Sequence, residues 1–377
     1  MSNTVKQQAG LDALRPYVPG KPIEEVQREY GLSDVIKLAS NENPNGASPK
    51  ILEALAAALP RLNYYPDAQA YNLNRAIARH LDVDPEMVRV GNGADGLIRE
   101  LCVSYLEDGD EVLTSVSSFP VYDVSACVMR ARLVKTPQKS MRIDLEAMAR
   151  AITERTKVIF VANPNNPTGT TVSRAEVGEF MAAVPGRTLV VFDEAYYEFV
   201  DAADYPDSLA YVREGRKNVV VLRTFSKAHG IAGIRIGYGI AQPEVLAPLR
   251  ASGESFPVNL LAQVAGEAAL EDTEFVRQTV EANRRGREYL YGEFARLGLR
   301  HPPTQANFVL VHVGPRAGEV YQRLLRCGVI VRPCTGYDLP EHLRITIGTP
   351  SQNRRLVETL DDILCALGVP DLSRLER

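Results

Sequence analysis

Lys227 closes the run Asn218-Val-Val-Val-Leu-Arg-Thr-Phe-Ser-Lys227, and Ala-His-Gly-Ile-Ala-Gly-Ile-Arg235 follows it. A β-branched, apolar strand thus delivers a lysine to its C-terminal end. A lysine there can form an imine with a carbonyl compound, and Arg235 close behind it can hold a phosphate. The pairing points to a covalently bound, phosphorylated aldehyde. Taken alone, Lys227 reads equally well as a solvated surface charge. The segments upstream decide between the two.

In Lys157-Val-Ile-Phe-Val-Ala-Asn-Pro-Asn-Asn-Pro-Thr-Gly169 an apolar strand runs into an abrupt Asn-Pro-Gly turn. That turn places Asn166 at a strand end with its amide available to a ligand oxygen; an ordinary Asn-Pro turn is the alternative. In Thr188-Leu-Val-Val-Phe-Asp-Glu-Ala-Tyr-Tyr197, Asp193 follows an apolar run. It is expected at the mouth of a buried parallel strand, where open α/β sheets bind ligands, or else as a helix N-cap. A carboxylate near a pyridine nitrogen favours its protonated form, and a phenolic ring oxygen needs donors such as Asn166 and Tyr196. The phosphorylated aldehyde that uses all of these is pyridoxal phosphate.

In this order the segments resemble the fold-type-I aminotransferases, and more narrowly the histidinol-phosphate aminotransferase family. The likeness extends to Ala39-Ser-Asn-Glu-Asn-Pro44, Tyr64-Tyr-Pro-Asp67, Gly91-Asn-Gly-Ala-Asp95, Ser118-Phe-Pro-Val-Tyr122 and Leu343-Arg-Ile-Thr-Ile-Gly-Thr-Pro350. The resemblance implies an α/β fold in which a mostly parallel mixed sheet is sandwiched by helices, with a smaller α+β domain. It also implies pyridoxal 5'-phosphate as cofactor, an amino donor and a 2-oxo acid acceptor as substrates, and a homodimer. By position, Lys227 resembles the lysine that binds the cofactor covalently, Asp193 the partner of the pyridine nitrogen, and Asn166 and Tyr196 the ring-oxygen donors. Phe119 resembles the residue stacked on the ring. Ala94, Asp95, Thr224, Ser226 and Arg235 resemble the phosphate contacts, joined by Tyr65 from the partner subunit. Arg344, Arg332, Tyr17 and Asn43 fall on the substrate side, although turn chemistry alone explains Asn43 and a surface ion pair alone explains Arg332. Many relatives have Ser-Asp-Glu where this chain has Ala94-Asp95-Gly96, which removes one hydroxyl from the phosphate site. Backbone N–H groups at a helix start would still serve there. The family also contains aromatic aminotransferases and a decarboxylase on the same core, so those activities stay open beside transamination of histidinol phosphate.

Gly91-Asn-Gly-Ala-Asp-Gly96 also has the form of a dinucleotide-binding turn between a strand and a helix. That reading wants an acid at the end of the next strand, which carries Ser117 and Ser118 instead. A non-catalytic binding protein would be expected to lack Lys227 or Asp193.

The remaining composition is that of an ordinary enzyme. The 377 residues are 45% hydrophobic, enough for a large core, and a net charge of −4 makes no basic field for nucleic acid. No apolar run is long enough for a membrane span, and the N-terminus lacks the apolar core of a signal peptide. The five cysteines show no paired metal spacing, and the five histidines form no ligand pattern. A reduced, cytoplasmic protein without a structural metal is expected. Cys102 and Cys127 are expected as helix core, and His229 as a local hydrogen-bonding residue.

These residues need a scaffold. Strands are predicted near 88–90, 111–116, 157–162, 188–193, 219–223 and 234–239, with helices between most of them. The last follows its predecessor too closely for a helical crossover and is expected to pair antiparallel. A long helix near 273–297, strands at 307–313, 329–331 and 343–347, and helices around 316–327 and 351–367 complete the chain. The predicted organisation is an N-terminal arm (1–45), a large cofactor-binding domain (46–270) and a C-terminal small domain (271–377).

Overall fold

The computed structural model describes residues 20–368 together with Val5, Gln8 and Leu11. Tyr17 lies outside the described residues.

The site-bearing runs form a seven-stranded sheet. Its strands are β1 (Val88–Gly91), β2 (Glu111–Ser115), β3 (Arg132–Thr136), β4 (Thr156–Ala162), β5 (Leu189–Asp193), β6 (Val219–Thr224) and β7 (Gly237–Ile240). Across the sheet the order is β1-β7-β6-β5-β4-β2-β3. The pairs from β3 to β6 are parallel, and β7 runs antiparallel to both β6 and β1. The antiparallel pairing is the one expected from the short connection after Lys227. The strand begins at Gly237 rather than Ile234 because Ala232–Ile234 coil into a short 3-10 turn and Arg235 takes a left-handed φ of 61°.

Both faces of the central strands are covered, and their side chains alternate between two cores. Ile159, Val161, Val190 and Phe192 join one, with the helices Pro49–Ala58, Tyr71–Leu81, Arg174–Ala183 and Leu260–Glu271. Val158, Phe160, Leu189 and Val191 join the other, with the helices Gly93–Tyr105, Pro120–Val128 and Pro243–Ser252. This is why the strands read as continuous apolar runs. Phe160 is fully buried, and truncating it to Ala would cost about 3–5 kcal/mol. The edge strand β3 was not among the predicted strands. Arg132 and Lys135 are exposed and Leu133 and Val134 only partly covered, so its hydrophobic signal is diluted.

A further core gathers residues between Leu290 and Leu367, together with Leu38 of the N-terminal segment. Its sheet has the order β8-β10-β9, with β8 Phe308–His312, β9 Arg332–Pro333 and β10 His342–Thr346, all antiparallel. The helices Thr273–Arg296, Ala317–Arg326 and Pro350–Leu367 accompany it. Ile36–Lys37 adds a parallel pairing to Val329–Ile330, which anchors the residues just before Ser40.

Candidate active site

A cavity of about 300 Å³ opens over the ends of β4, β5 and β6, where Ala162, Asp193 and Thr224 reach its wall. The parallel register sets Ala162 beside Asp193 and Asp193 beside Leu222, so these strand ends stay level. This is the edge at which open α/β sheets hold ligands. Lys227, Asn166, Tyr196, Phe119, Ala94, Asp95, Ser226, Arg235 and Arg344 line the same cavity.

Asp193 is buried, and Tyr122 donates its phenol to Oδ2 at 2.6 Å while the Ala195 N–H donates to Oδ1 at 3.1 Å. Burial pushes its carboxyl up to about 6 despite those two donors, with Asp95 and Glu194 adding repulsion. Lys227 is partly buried and its Nζ donates to the Ser40 carbonyl at 3.2 Å. Burial brings its ammonium down to about 8; Arg344 and Arg235 add to the lowering, and Glu42 and Asp95 oppose it. An amine so placed is neutral often enough near neutral pH to attack a carbonyl or accept a proton.

Tyr196 lies edge-on to Phe308, and its oxygen accepts the Asn41 amide at 2.9 Å. Burial holds the phenol protonated, so its hydrogen remains available to donate. The Asn166 oxygen accepts from Arg344 Nη1, which turns the Asn166 amide nitrogen into the group left to donate. Arg344 also donates to the Ala39 carbonyl at 2.7 Å and to Tyr337 Oη at 3.4 Å, and lies 5.3 Å from the Phe308 ring centroid. Its guanidinium is therefore fixed in the cavity wall by polar and aromatic contacts together.

At the end of the cavity where phosphate contacts are expected, backbone groups stand foremost. Asn92, the N-cap of Gly93–Tyr105, makes no side-chain cap bond, so the first-turn N–H groups are not claimed by it. Thr224 and Ser226 hydroxyls meet at 3.0 Å, and Arg235 pairs with Asp95 at 3.6 Å. Gly237 lets the strand pass close beneath: a Cβ there would stand 2.6 Å from the Ala94 nitrogen. With Ala94 in place of serine, no side-chain hydroxyl reaches from the helix start.

Three expected residues lie outside this cavity. Asn43 donates to the Ala228 carbonyl at 3.0 Å and to Thr279 Oγ1 at 3.2 Å, and faces a separate cavity. The residue of that segment in the site wall is Asn41, whose backbone and side chain are tied to Thr346 and Asn307. Tyr65 is exposed and stacked on Phe256, outside the cavity. Arg332 is buried directly opposite Arg344 in the β9–β10 ladder but is not part of the cavity wall. Two residues without an assigned role in the sequence, Tyr122 and Asn41, hold Asp193 and Tyr196. Tyr122 stands in the quoted Ser118–Tyr122 motif, yet only the fold brings it under Asp193. His229 is buried 3.9 Å from Glu198, and Cys102 is buried in its helix.

The donor set fits pyridoxal phosphate. The buried Asp193 charge is met by a phenol and an amide, and a protonated ring nitrogen would offset the burial that now raises its carboxyl. Lys227, Asn166 and Tyr196, and the uncapped helix start, stand where an aldehyde, a ring oxygen and a phosphate would need them. Among the described residues no cluster of His, Cys, Asp and Glu could hold a metal ion.

Residues 33–360 match the family model for aminotransferases of class I and II. The histidinol-phosphate aminotransferase of Moorella thermoacetica is 50% identical over 93% of this chain and 91% of its own length. That of Symbiobacterium thermophilum is 48% identical over 92% of this chain and 95% of its own. Among solved structures, the histidinol-phosphate aminotransferase of Sinorhizobium meliloti in complex with pyridoxal-5'-phosphate superimposes with a TM-score of 0.88 at 28% identity. That match covers 97% of this chain and 99% of the other.

Proposed function

The chain belongs to the class I and II aminotransferases, and we propose that it is a pyridoxal-phosphate-dependent enzyme transferring the amino group of histidinol phosphate to a 2-oxo acid. The observation that carries this is the convergence of Lys227, Asp193 and Arg344 on one cavity, in a chain that shares half of its residues with a histidinol-phosphate aminotransferase. Arg332 lies opposite Arg344 on the neighbouring strand. Arg344 is the one of the two in the cavity wall, and its fork can hold a donor's phosphate through paired, charge-assisted hydrogen bonds.

When bound, pyridoxal phosphate supplies an electrophilic carbonyl and a ring that accepts the electron pair left by a departing proton. The protein's residues do the rest. Thr224, Ser226, Arg235 and the N–H groups of Ala94 and Asp95 would hold the phosphate. Asp193 keeps a proton on the ring nitrogen through its negative charge. Asn166 and Tyr196 donate to the ring oxygen, each oriented by a partner, Arg344 and Asn41 respectively. Phe119, in the cavity wall, would cover one face of the ring. Arg344 grips the donor's anionic group and so aims its α-carbon at Lys227. Lys227 Nζ would take the α-proton and hold it for return, which fits an amine whose pKa burial brings to about 8. The 2-oxo acid reverses these steps.

The same reading divides the chain into an arm (1–45), a cofactor-binding domain (46–270) and a small domain (271–377), supported by the separate cores. It makes the enzyme a homodimer in which Tyr65 completes the partner's phosphate site. Tyr64, Tyr65 and Phe256 are exposed, as such an interface requires. Among the described residues no helix is long and apolar enough to cross a membrane, and the reading places the enzyme in the cytoplasm. The test is a panel of amino donors. Histidinol phosphate should exceed phenylalanine in kcat/KM by at least about 100-fold, the worth of a fully used phosphate grip. Equal use of both would overturn the substrate assignment, and release of CO2 would overturn transamination.

A further inference from the structure

Tyr122 is the residue of this cavity whose role the sequence leaves open and whose contacts are the most constrained. Its side chain is fully buried. Its ring stacks on Phe160 with centroids 4.5 Å apart and planes 4° apart. It meets Phe119 edge-on, at 5.6 Å and 85°. Its hydroxyl makes one bond, to Asp193 Oδ2 at 2.6 Å. A buried phenol needs a partner, and a ring held by stacking on one side and an edge contact on the other cannot turn to find another.

We propose that Tyr122 is a positioning residue: its hydroxyl aims the Asp193 carboxylate and keeps it ionised, while its ring edge sets the plane of Phe119. The inference rests on the reading of the cavity as a pyridoxal-phosphate site. One side chain thereby couples the two protein contacts that such a ring feels most, the anion at its nitrogen and the aromatic against its face.

The charges around Asp193 make the bond consequential. Asp95 and Glu194 act on it from the Gly93–Tyr105 helix and the adjoining chain, and Tyr196 lies near as a neutral phenol. Burial and both acids favour protonation, and the Tyr122 hydroxyl and the Ala195 N–H oppose it. The Tyr122 hydroxyl cannot ionise in their place, because burial and the Asp193 charge push its own pKa well above the ordinary phenol value. It remains a donor across the whole working range of pH. Removing the donor leaves the anion less stabilised, so the Asp193 pKa rises.

The decisive variant is Tyr122→Phe, which keeps the stack and deletes the donor. In the holoenzyme the cofactor dissociation constant should rise about tenfold at pH 8, the size expected for losing a hydrogen bond to a charged group. The acid limb of cofactor retention, read by absorbance after rapid gel filtration, should move up by about one pH unit. For turnover, kcat should fall about tenfold with KM for the amino donor changed less than twofold. In the Asp193→Asn background the same substitution should change cofactor affinity less than twofold, because the charged acceptor is gone. Unchanged retention in Tyr122→Phe, or equal effects in both backgrounds, would overturn the proposal. Should Tyr122→Phe not fold, 3-fluorotyrosine at position 122 strengthens the donor and must move the acid limb down; a limb that stays put or moves up also overturns it. If the wild-type protein itself binds no pyridoxal phosphate, the cofactor reading has failed rather than the role of Tyr122.

Discussion

Replacing Asp193 with Asn should stabilise the protein stripped of cofactor and weaken the cofactor-loaded form. Burial lifts the Asp193 carboxyl from 3.8 to about 6. Each tenfold change in proton affinity is worth about 1.4 kcal/mol, so the ionised side chain costs the stripped protein about 3 kcal/mol at pH 8. The sign follows from proton counting. Between pH 4 and 6 the native state holds a proton that the unfolded chain has released, so stability falls as pH rises through that window and is flat above it. Asn carries no such penalty. It can accept from only one of Tyr122 and Ala195, which returns about 1 kcal/mol. The net gain is about 2 kcal/mol at pH 8 and close to zero near pH 4.5. Urea denaturation of the stripped proteins at the two pH values measures it, and melting of the loaded proteins should give the opposite order. A stripped wild type at least as stable as Asp193→Asn at pH 8, or a difference that does not shrink in acid, would refute a strained anion waiting for a cation.

Other perturbations test the rest of the cavity. With an amine pKa of about 8, Lys227 is about half neutral at pH 8, against about 0.3% at the usual value of 10.5. Reductive methylation of the stripped protein should therefore label Lys227 on the order of 100 times faster than the side chain of a blocked lysine model compound, and equal rates would contradict the depressed pKa. Arg344→Lys keeps the charge but loses the fork that holds Asn166, Ala39 and Tyr337; kcat/KM for histidinol phosphate should fall about 100-fold in steady-state assays, about 3 kcal/mol. Gly237→Ala forces a Cβ to 2.6 Å from the Ala94 nitrogen and 2.9 Å from the Gly93 carbonyl carbon. Fluorescence titration should show cofactor affinity down at least about tenfold, with circular dichroism unchanged.

What the sequence made legible was strand ends. Val219–Thr224, Leu189–Asp193 and Thr156–Ala162 are runs whose apolar residues can only be buried on two faces, and the polar residues at or shortly after their ends emerge at one edge of the sheet. Lys227, Asp193 and Asn166 were readable for that reason. The segment around Asn41 and Asn43 has no such periodicity. Both asparagines sit in one polar loop, and which of them faces the cavity depends on a left-handed φ of 55° at Asn41 and on its ties to Thr346 and Asn307. Those partners lie hundreds of positions away, so no local pattern could have ranked Asn41 above Asn43. Tyr122 escaped for the same reason. Its hydroxyl acts across 71 positions of sequence, and its local pattern is only that of a helix's buried face.

Asp193 and Glu194 show how far parity carries and where it stops. Adjacent acids at the end of a strand must point to opposite faces. Asp193 shares its face with Leu189 and Val191, the side of the Gly93–Tyr105 and Pro120–Val128 helices. Glu194 turns away and is buried against Arg223, with Nη2 at 2.8 Å. Parity therefore says that one acid of the pair reaches the cavity and the other does not. It does not say which, because that depends on which face the uncapped helix start and Tyr122 occupy. The arginine settles it physically: Arg223 is itself buried and lies 3.5 Å over the Tyr197 ring, and its charge needs the neighbouring carboxylate. Glu194 already has its cation, whereas Asp193 forms no ion pair with a Lys or Arg among the described residues and is the acid free to meet a ligand's cation.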